Sequence, residues 1–155
     1  MEESPITTIL VPVDGSKNAY KALEYAEKLG LGTNATIDVL HVVDTHCEAE
    51  IDLSPFEGAV YRGTDVQALP LLPSFLHARA ILDEACRYAA EKGMGAQGII
   101  AFGDVPVMIV SVASSGAYSI IVMGTRGQSN FPATHLGHVS ELVAETAPCP
   151  VLLAR

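Results

Sequence analysis

Positive charge is scarce in this chain. Its 155 residues carry 9 Lys and Arg against 18 Asp and Glu, a net charge of −9. Nonspecific attachment to nucleic acid or to an anionic membrane is driven by cationic side chains, so neither is expected as a partner. Cysteine is scarce too. Cys47, Cys86 and Cys149 are an odd set without metal-type spacing. They predict reduced thiols in a cytoplasmic protein, not a disulfide framework. No run approaches the roughly 18 uninterrupted apolar residues of a membrane span. The opening Met1-Glu2-Glu3-Ser4-Pro5 lacks the apolar centre of a signal peptide. Charged residues make up only 17% of the chain and apolar residues 49%, which excludes a disordered polymer. A single domain spanning 1–155 is the expectation, large enough to bury its own core without staples.

Common catalytic signatures are also missing. There is no G-x-x-x-x-G-K-[ST], and the one G-x-G, Gly93-Met94-Gly95, follows a helical pattern rather than a strand. A P-loop NTPase and a Rossmann dehydrogenase are therefore disfavoured. No G-x-S-x-G elbow is present. His41, His46, His77, His135 and His138 are scattered without zinc spacing, so structural or solvated roles are expected of them.

What the chain does have is alternation. Thr8–Val13 is short, β-branched and apolar on both faces, as in a strand buried in a parallel sheet. Ser16 suits an N-cap, and Ala19, Ala22, Leu23, Ala26 and Leu29 then form a helical stripe that Gly30 is expected to stop. Strands follow at 36–43, 97–102, 119–123 and 151–154. Helices are expected at about 74–91, 106–115 and 138–146. Five strands and four helices predict an α/β fold, an open parallel sheet with helices on both faces. The segment from Asp44 to Leu72 shows no sustained periodicity. It reads as a long loop, either a lid over a ligand or a variable surface excursion with room for a short helix.

Ligands in such sheets sit outside the carboxyl ends of the strands. The first strand ends in Pro12-Val13-Asp14, the second near Val42, and the fourth in Met123-Gly124. Beyond Gly124, glycines 127 and 137 bracket a loop that runs into a helix start at Gly137-His138. Glycine lets a backbone approach a ligand, and a helix start offers free N–H groups to an anion. A turn with a glycine N-cap explains the same residues without a ligand. Both readings stand on the residues alone.

Gly124-x2-Gly127-x9-Gly137, followed by Val139-Ser140-Glu141 and Ala147-Pro148-Cys149-Pro150-Val151, closely resembles the signature of the universal stress protein family. Ile9–Ser16 and the pair His41-Val42 resemble it as well, so the likeness spans the chain and is weakest between Asp44 and Leu72. The resemblance implies an adenine-nucleotide α-hydrolase-like fold with strand order 3-2-1-4-5. One branch of the family binds ATP and the other does not. In the binding branch, positions like Pro12, Val13, Asp14 and Val42 hold adenine and ribose. Positions like Met123, Gly124, Arg126, Gly127, Gly137, His138, Val139 and Ser140 hold the phosphates. The family motif has Ser or Thr where this chain has His138, which is expected to weaken or reorient phosphate binding.

The expected function is therefore binding of an adenine nucleotide, ATP with or without Mg2+, as a regulatory switch in a stress response. AMP or another adenylate is an alternative ligand. A nucleotide-free protein acting through protein contacts is the second reading, and slow ATP hydrolysis resting on Asp14 is the third. No residue is singled out as catalytic and no resident metal is expected. The last strand, Val151–Ala154, is an apolar edge. Pairing with a twofold mate would bury it, and the resemblance implies such homodimers. Coverage by the N-terminus or the long loop is the alternative.

Overall fold

The computed structural model describes residues 5–46, 51–125 and 137–155. Strands β1 (Thr8–Pro12), β2 (Thr36–Asp44), β3 (Val60–Arg62), β4 (Ala96–Gly103), β5 (Ile120–Gly124) and β6 (Val151–Ala154) alternate with helices α1 (Lys17–Thr33), α2 (Thr64–Gln67), α3 (Pro73–Glu91), α4 (Val105–Ser115) and α5 (His138–Thr146). They form one sheet in the order β3-β4-β2-β1-β5-β6. All pairings are parallel except β3 with β4, where Val60, Tyr61 and Arg62 oppose Ala101, Ile100 and Ile99.

This corrects the expected count and order. Five strands in the order 3-2-1-4-5 become six, because the Asp44–Leu72 segment is not a bare loop. It contributes β3, a single 3-10 turn at Ser54–Phe56 and α2. The remaining five strands keep the expected neighbours. The inserted strand is bonded to β4 at both of its ends. Gly58 N–H donates to the Phe102 carbonyl at 2.8 Å, Phe102 N–H to Ala59 at 3.0 Å, and Gly63 N–H to Gly98 at 3.1 Å. Aromatic packing ties the insertion to the core. The Phe56 ring lies 5.0 Å from Phe75 and 5.3 Å from Phe102, and Tyr61 meets Phe102 edge-on at 5.8 Å.

The central strands are buried on both faces, as their unbroken apolar runs predict. Ile9, Val11, Ile37, Val39, Ile100 and Phe102 pack with α1 and α3. Leu10, Leu40, Val42, Ile99, Ala101, Ile121 and Met123 pack with residues of α4 and α5. Ser16 caps α1, accepting from Ala19 N–H at 3.4 Å. Gly30 does not stop the helix. It lies inside it, and a Cβ there would sit 2.1 Å from the Met94 methyl. The glycine makes room for Met94, and Asn34 at φ 59° supplies the left-handed cap instead. Asp104 caps α4, accepting from Val107 N–H at 3.3 Å, with Pro106 in the first turn.

A polar cluster ties β3 to the sheet on the α4 side. The Tyr118 hydroxyl donates to Asp38 Oδ2 at 2.5 Å and accepts from Arg62 Nη1 at 3.2 Å. The residues come from β2, β3 and the α4–β5 connection. Among the described residues, no helix is long and apolar enough to cross a membrane.

Candidate functional site

The sheet order places β1 between β2 and β5, so the chain runs outward from β1 in both directions. A crevice opens where the two halves diverge, at the carboxyl ends of the strands. There the structure forms a cleft of about 320 Å³. That is the size class of a small-molecule site.

The cleft brings together ten of the twelve residues expected from the sequence. Pro12, Val13 and Asp14 come from the end of β1, Val42 from β2, and Met123 and Gly124 from β5. Gly137, His138, Val139 and Ser140 come from the start of α5. Arg126 and Gly127, with His135, lie outside the described residues. Further lining comes from Ser16, Ala19, Leu40, His41, Val105 and Ile109. Val105 and Ile109 belong to α4, whose start follows β4. Both follow a strand end, where ligands gather in such sheets, but no motif singles them out.

The strand ends are shaped by short local bonds. Val13 N–H donates to the Leu40 carbonyl at 2.8 Å, which extends the β1–β2 ladder into the cleft. The Val13 carbonyl pairs with His41 Nδ1 at 2.8 Å. In the neutral ring this is the nitrogen that carries the proton. Burial holds the His41 imidazole below the usual histidine range. The bond to Val13 opposes that, His77 adds to it, and Asp14 opposes it. His41 is thus neutral at pH 7 and acts as a donor to the backbone. Asp14 Oδ1 accepts from Ser16 N–H at 2.9 Å, which turns the chain from β1 into α1. Gly124 faces α1 closely. A Cβ there would come within 2.8 Å of Asn18 Cβ and 3.0 Å of its carbonyl group.

At the far wall, Gly137 is the N-cap of α5 and has no side chain to cap with. Its N–H donates to the Thr125 carbonyl at 2.6 Å. The Ser140 hydroxyl reaches the same carbonyl at 2.7 Å and the Gly137 carbonyl at 3.0 Å. The His138 side chain is exposed at the first helical position. The walls of the cleft are mostly apolar. The polar groups converging on it are the Asp14 carboxylate, strand-end backbone and the first turn of α5. Such a cavity suits a flat, partly apolar ring with a polar and anionic tail. Among the described residues, no group of three or more His, Cys, Asp or Glu is arranged to hold a metal ion.

Known proteins share this architecture. The universal stress protein family model matches residues 5–155. The universal stress protein YxiE of Bacillus subtilis is 35% identical over 147 residues, which is 95% of this chain and 97% of that one. Among solved structures, the universal stress protein UspA from Lactobacillus plantarum has a TM-score of 0.76 at 25% identity, covering 99% of this chain and 100% of the other. A universal stress protein in complex with cAMP has a TM-score of 0.70 at 21% identity, covering 98% of both chains. One from Archaeoglobus fulgidus in complex with dAMP has a TM-score of 0.70 at 19% identity, covering 96% and 98%. With the family model matched across nearly its whole length and the expected strand-end cleft in place, this chain belongs to the universal stress protein family.

Proposed function

We propose that the cleft binds an adenine nucleotide, ATP first among them, and that occupancy switches the protein's contacts with others in a cytoplasmic stress response. The observation that carries this reading is the convergence on one apolar-walled cleft of three strand ends and a helix start. The adenylates bound by structurally similar family members support it. In the proposed pose the adenine lies between the apolar walls, with its edge read by the backbone at Val13 and Val42. The Asp14 carboxylate, at the end of β1 on the cleft wall, is proposed to accept from ribose hydroxyls. The phosphates lie against the α5 start, where the backbone N–H groups of His138 and Val139 and the positive end of the helix dipole face them. Arg126 and Gly127 are proposed to close the phosphate site.

The test is direct. Freshly purified protein is denatured, and released nucleotide is identified by mass spectrometry and scaled to protein. ATP or ADP near one per chain is expected. Released AMP or a cyclic adenylate would keep the site and replace the ligand. No nucleotide, with no binding in titration against ATP and magnesium, would refute the reading.

One observation favours the nucleotide-free alternative. His138 puts an imidazole, not a small hydroxyl, at the first position of α5. His138→Ser should raise ATP affinity, and an unchanged affinity would remove His138 as the determinant. Slow ATP hydrolysis is the third reading. It predicts metal-dependent ADP release that Asp14→Asn abolishes while binding persists. The chain is also proposed to pair with a copy of itself through the β6 edge. Light scattering at micromolar concentration should give twice the chain mass.

A further inference from the structure

Thr125 and Ser140 are buried, at 7% and 2% exposed. They meet across the start of α5. The Thr125 carbonyl takes two donors, Gly137 N–H at 2.6 Å and the Ser140 hydroxyl at 2.7 Å. Thr125 N–H in turn donates to Ala154 at the end of β6, at 3.0 Å. A serine hydroxyl has one proton. Here that proton is shared between the Thr125 and Gly137 carbonyls. What remains on the oxygen is lone-pair density, which repels a phosphate. The Gly137 N–H is likewise already used.

We propose that Ser140 is a positioning residue for the phosphate site, not a phosphate donor. It latches the first turn of α5 to the end of β5. That latch aims the backbone N–H groups of His138 and Val139 into the cleft, and these groups are the anion's donors. The proposal rests on the adenylate reading of the cleft, and it reassigns one residue within it.

The experiment uses the full chain, with Ser140→Ala and Ser140→Thr. Two readouts are taken: amide exchange of Gly137 in ligand-free protein, and affinities for adenosine, AMP and ATP. Ser140→Ala should speed ligand-free exchange at Gly137. It should weaken AMP and ATP about three- to tenfold, the range spanned by one lost hydrogen bond. Adenosine binding should stay within about twofold, since no phosphate is involved. Ser140→Thr keeps the hydroxyl and should restore both readouts. Loss of AMP and ATP affinity with unchanged ligand-free exchange would overturn the proposal, because Ser140 would then contact phosphate directly. Faster exchange with unchanged affinities would also overturn it, leaving Ser140 a purely structural residue. If Ser140→Ala does not fold, Ser140→Cys, of the same shape with a weaker donor, should fall between alanine and serine in both readouts. Wild-type protein that binds none of the three ligands would instead refute the adenylate reading itself.

Discussion

Replacing Tyr118 by Phe removes one oxygen and leaves the ring in place. The oxygen is doubly engaged, donating to Asp38 at 2.5 Å and accepting from Arg62 at 3.2 Å. A hydrogen bond to a charged group contributes about 1.5–3 kcal/mol. Some of this returns in the variant, because Arg62 still stands 3.9 Å from the carboxylate and the Asp38 side chain is 21% exposed to water. A net loss of about 1–2 kcal/mol is expected. For a chain of this size that corresponds to a fall in Tm of about 3–7 °C at pH 7. Alkaline pH gives a second, independent arm. Burial, joined by the bond to Asp38, pushes the Tyr118 phenol up to about 12, with Arg62 opposing. The folded value lies above the unfolded value of about 10. The stabilisation is therefore complete below pH 10 and drains as pH rises through 12. By about pH 11 the wild-type protein should lose roughly 1 kcal/mol that the Phe variant cannot lose. Urea unfolding of both proteins from pH 7 to 11 isolates Tyr118 from other titrating groups, because these are common to both. A Tyr118→Phe protein melting within about 1 °C of wild type would refute the network as a stabilising element. So would a gap that fails to narrow above pH 10.

Gly124→Ala should cost about 1–3 kcal/mol, since the new methyl meets the Asn18 backbone and α1 must shift. A lower urea midpoint together with weaker adenylate binding is expected. Phe56→Ala should loosen the inserted strand alone. Amide exchange at Tyr61 should accelerate while Leu10 and Leu40 stay protected, because their strands do not rest on that ring. Burial first, then Asp83 and Asp38, push the Cys86 thiol up to about 11. Its thiolate fraction at pH 8 should be about a hundredfold below that of a free cysteine. Peptide mapping after a short exposure to a disulfide reagent should find Cys86 largely unmodified, and rapid modification there would contradict this.

Long apolar runs made most of the fold legible. Ile9-Leu10-Val11 and Ile99-Ile100-Ala101-Phe102 can be buried only between two helical layers, which dictates a parallel sheet. β3 was not legible. Three residues, Val60-Tyr61-Arg62, are too few for a period of two to show, and the strand is held by the ring of Phe56 and by backbone bonds to β4. α1 runs past Gly30 because that glycine serves Met94, a partner more than sixty positions away that local pattern cannot show. At the cleft, strand-end residues were found because position after a strand implies place. Val105 and Ile109 were missed because lining a wall needs only an apolar side chain. The family resemblance places Ser140 among the phosphate-holding positions, and the positioning role proposed for it has no sequence signal. The Thr125 carbonyl that takes its proton is backbone and leaves no trace there.

β4 reads Ala-Gln-Gly-Ile-Ile-Ala-Phe-Gly from 96 to 103, without a charge or a proline. Such a segment, if its outer rim were bare, would be a template for stacking copies into a cross-β array. β3 and the turns flanking it occupy the rim from Gly98 to Phe102. By pairing with that rim, the insertion leaves no bare β4 edge on which copies could stack. Shortening it to a tight loop would bare that rim and also strip Leu53, Val66 and Leu69 from the core.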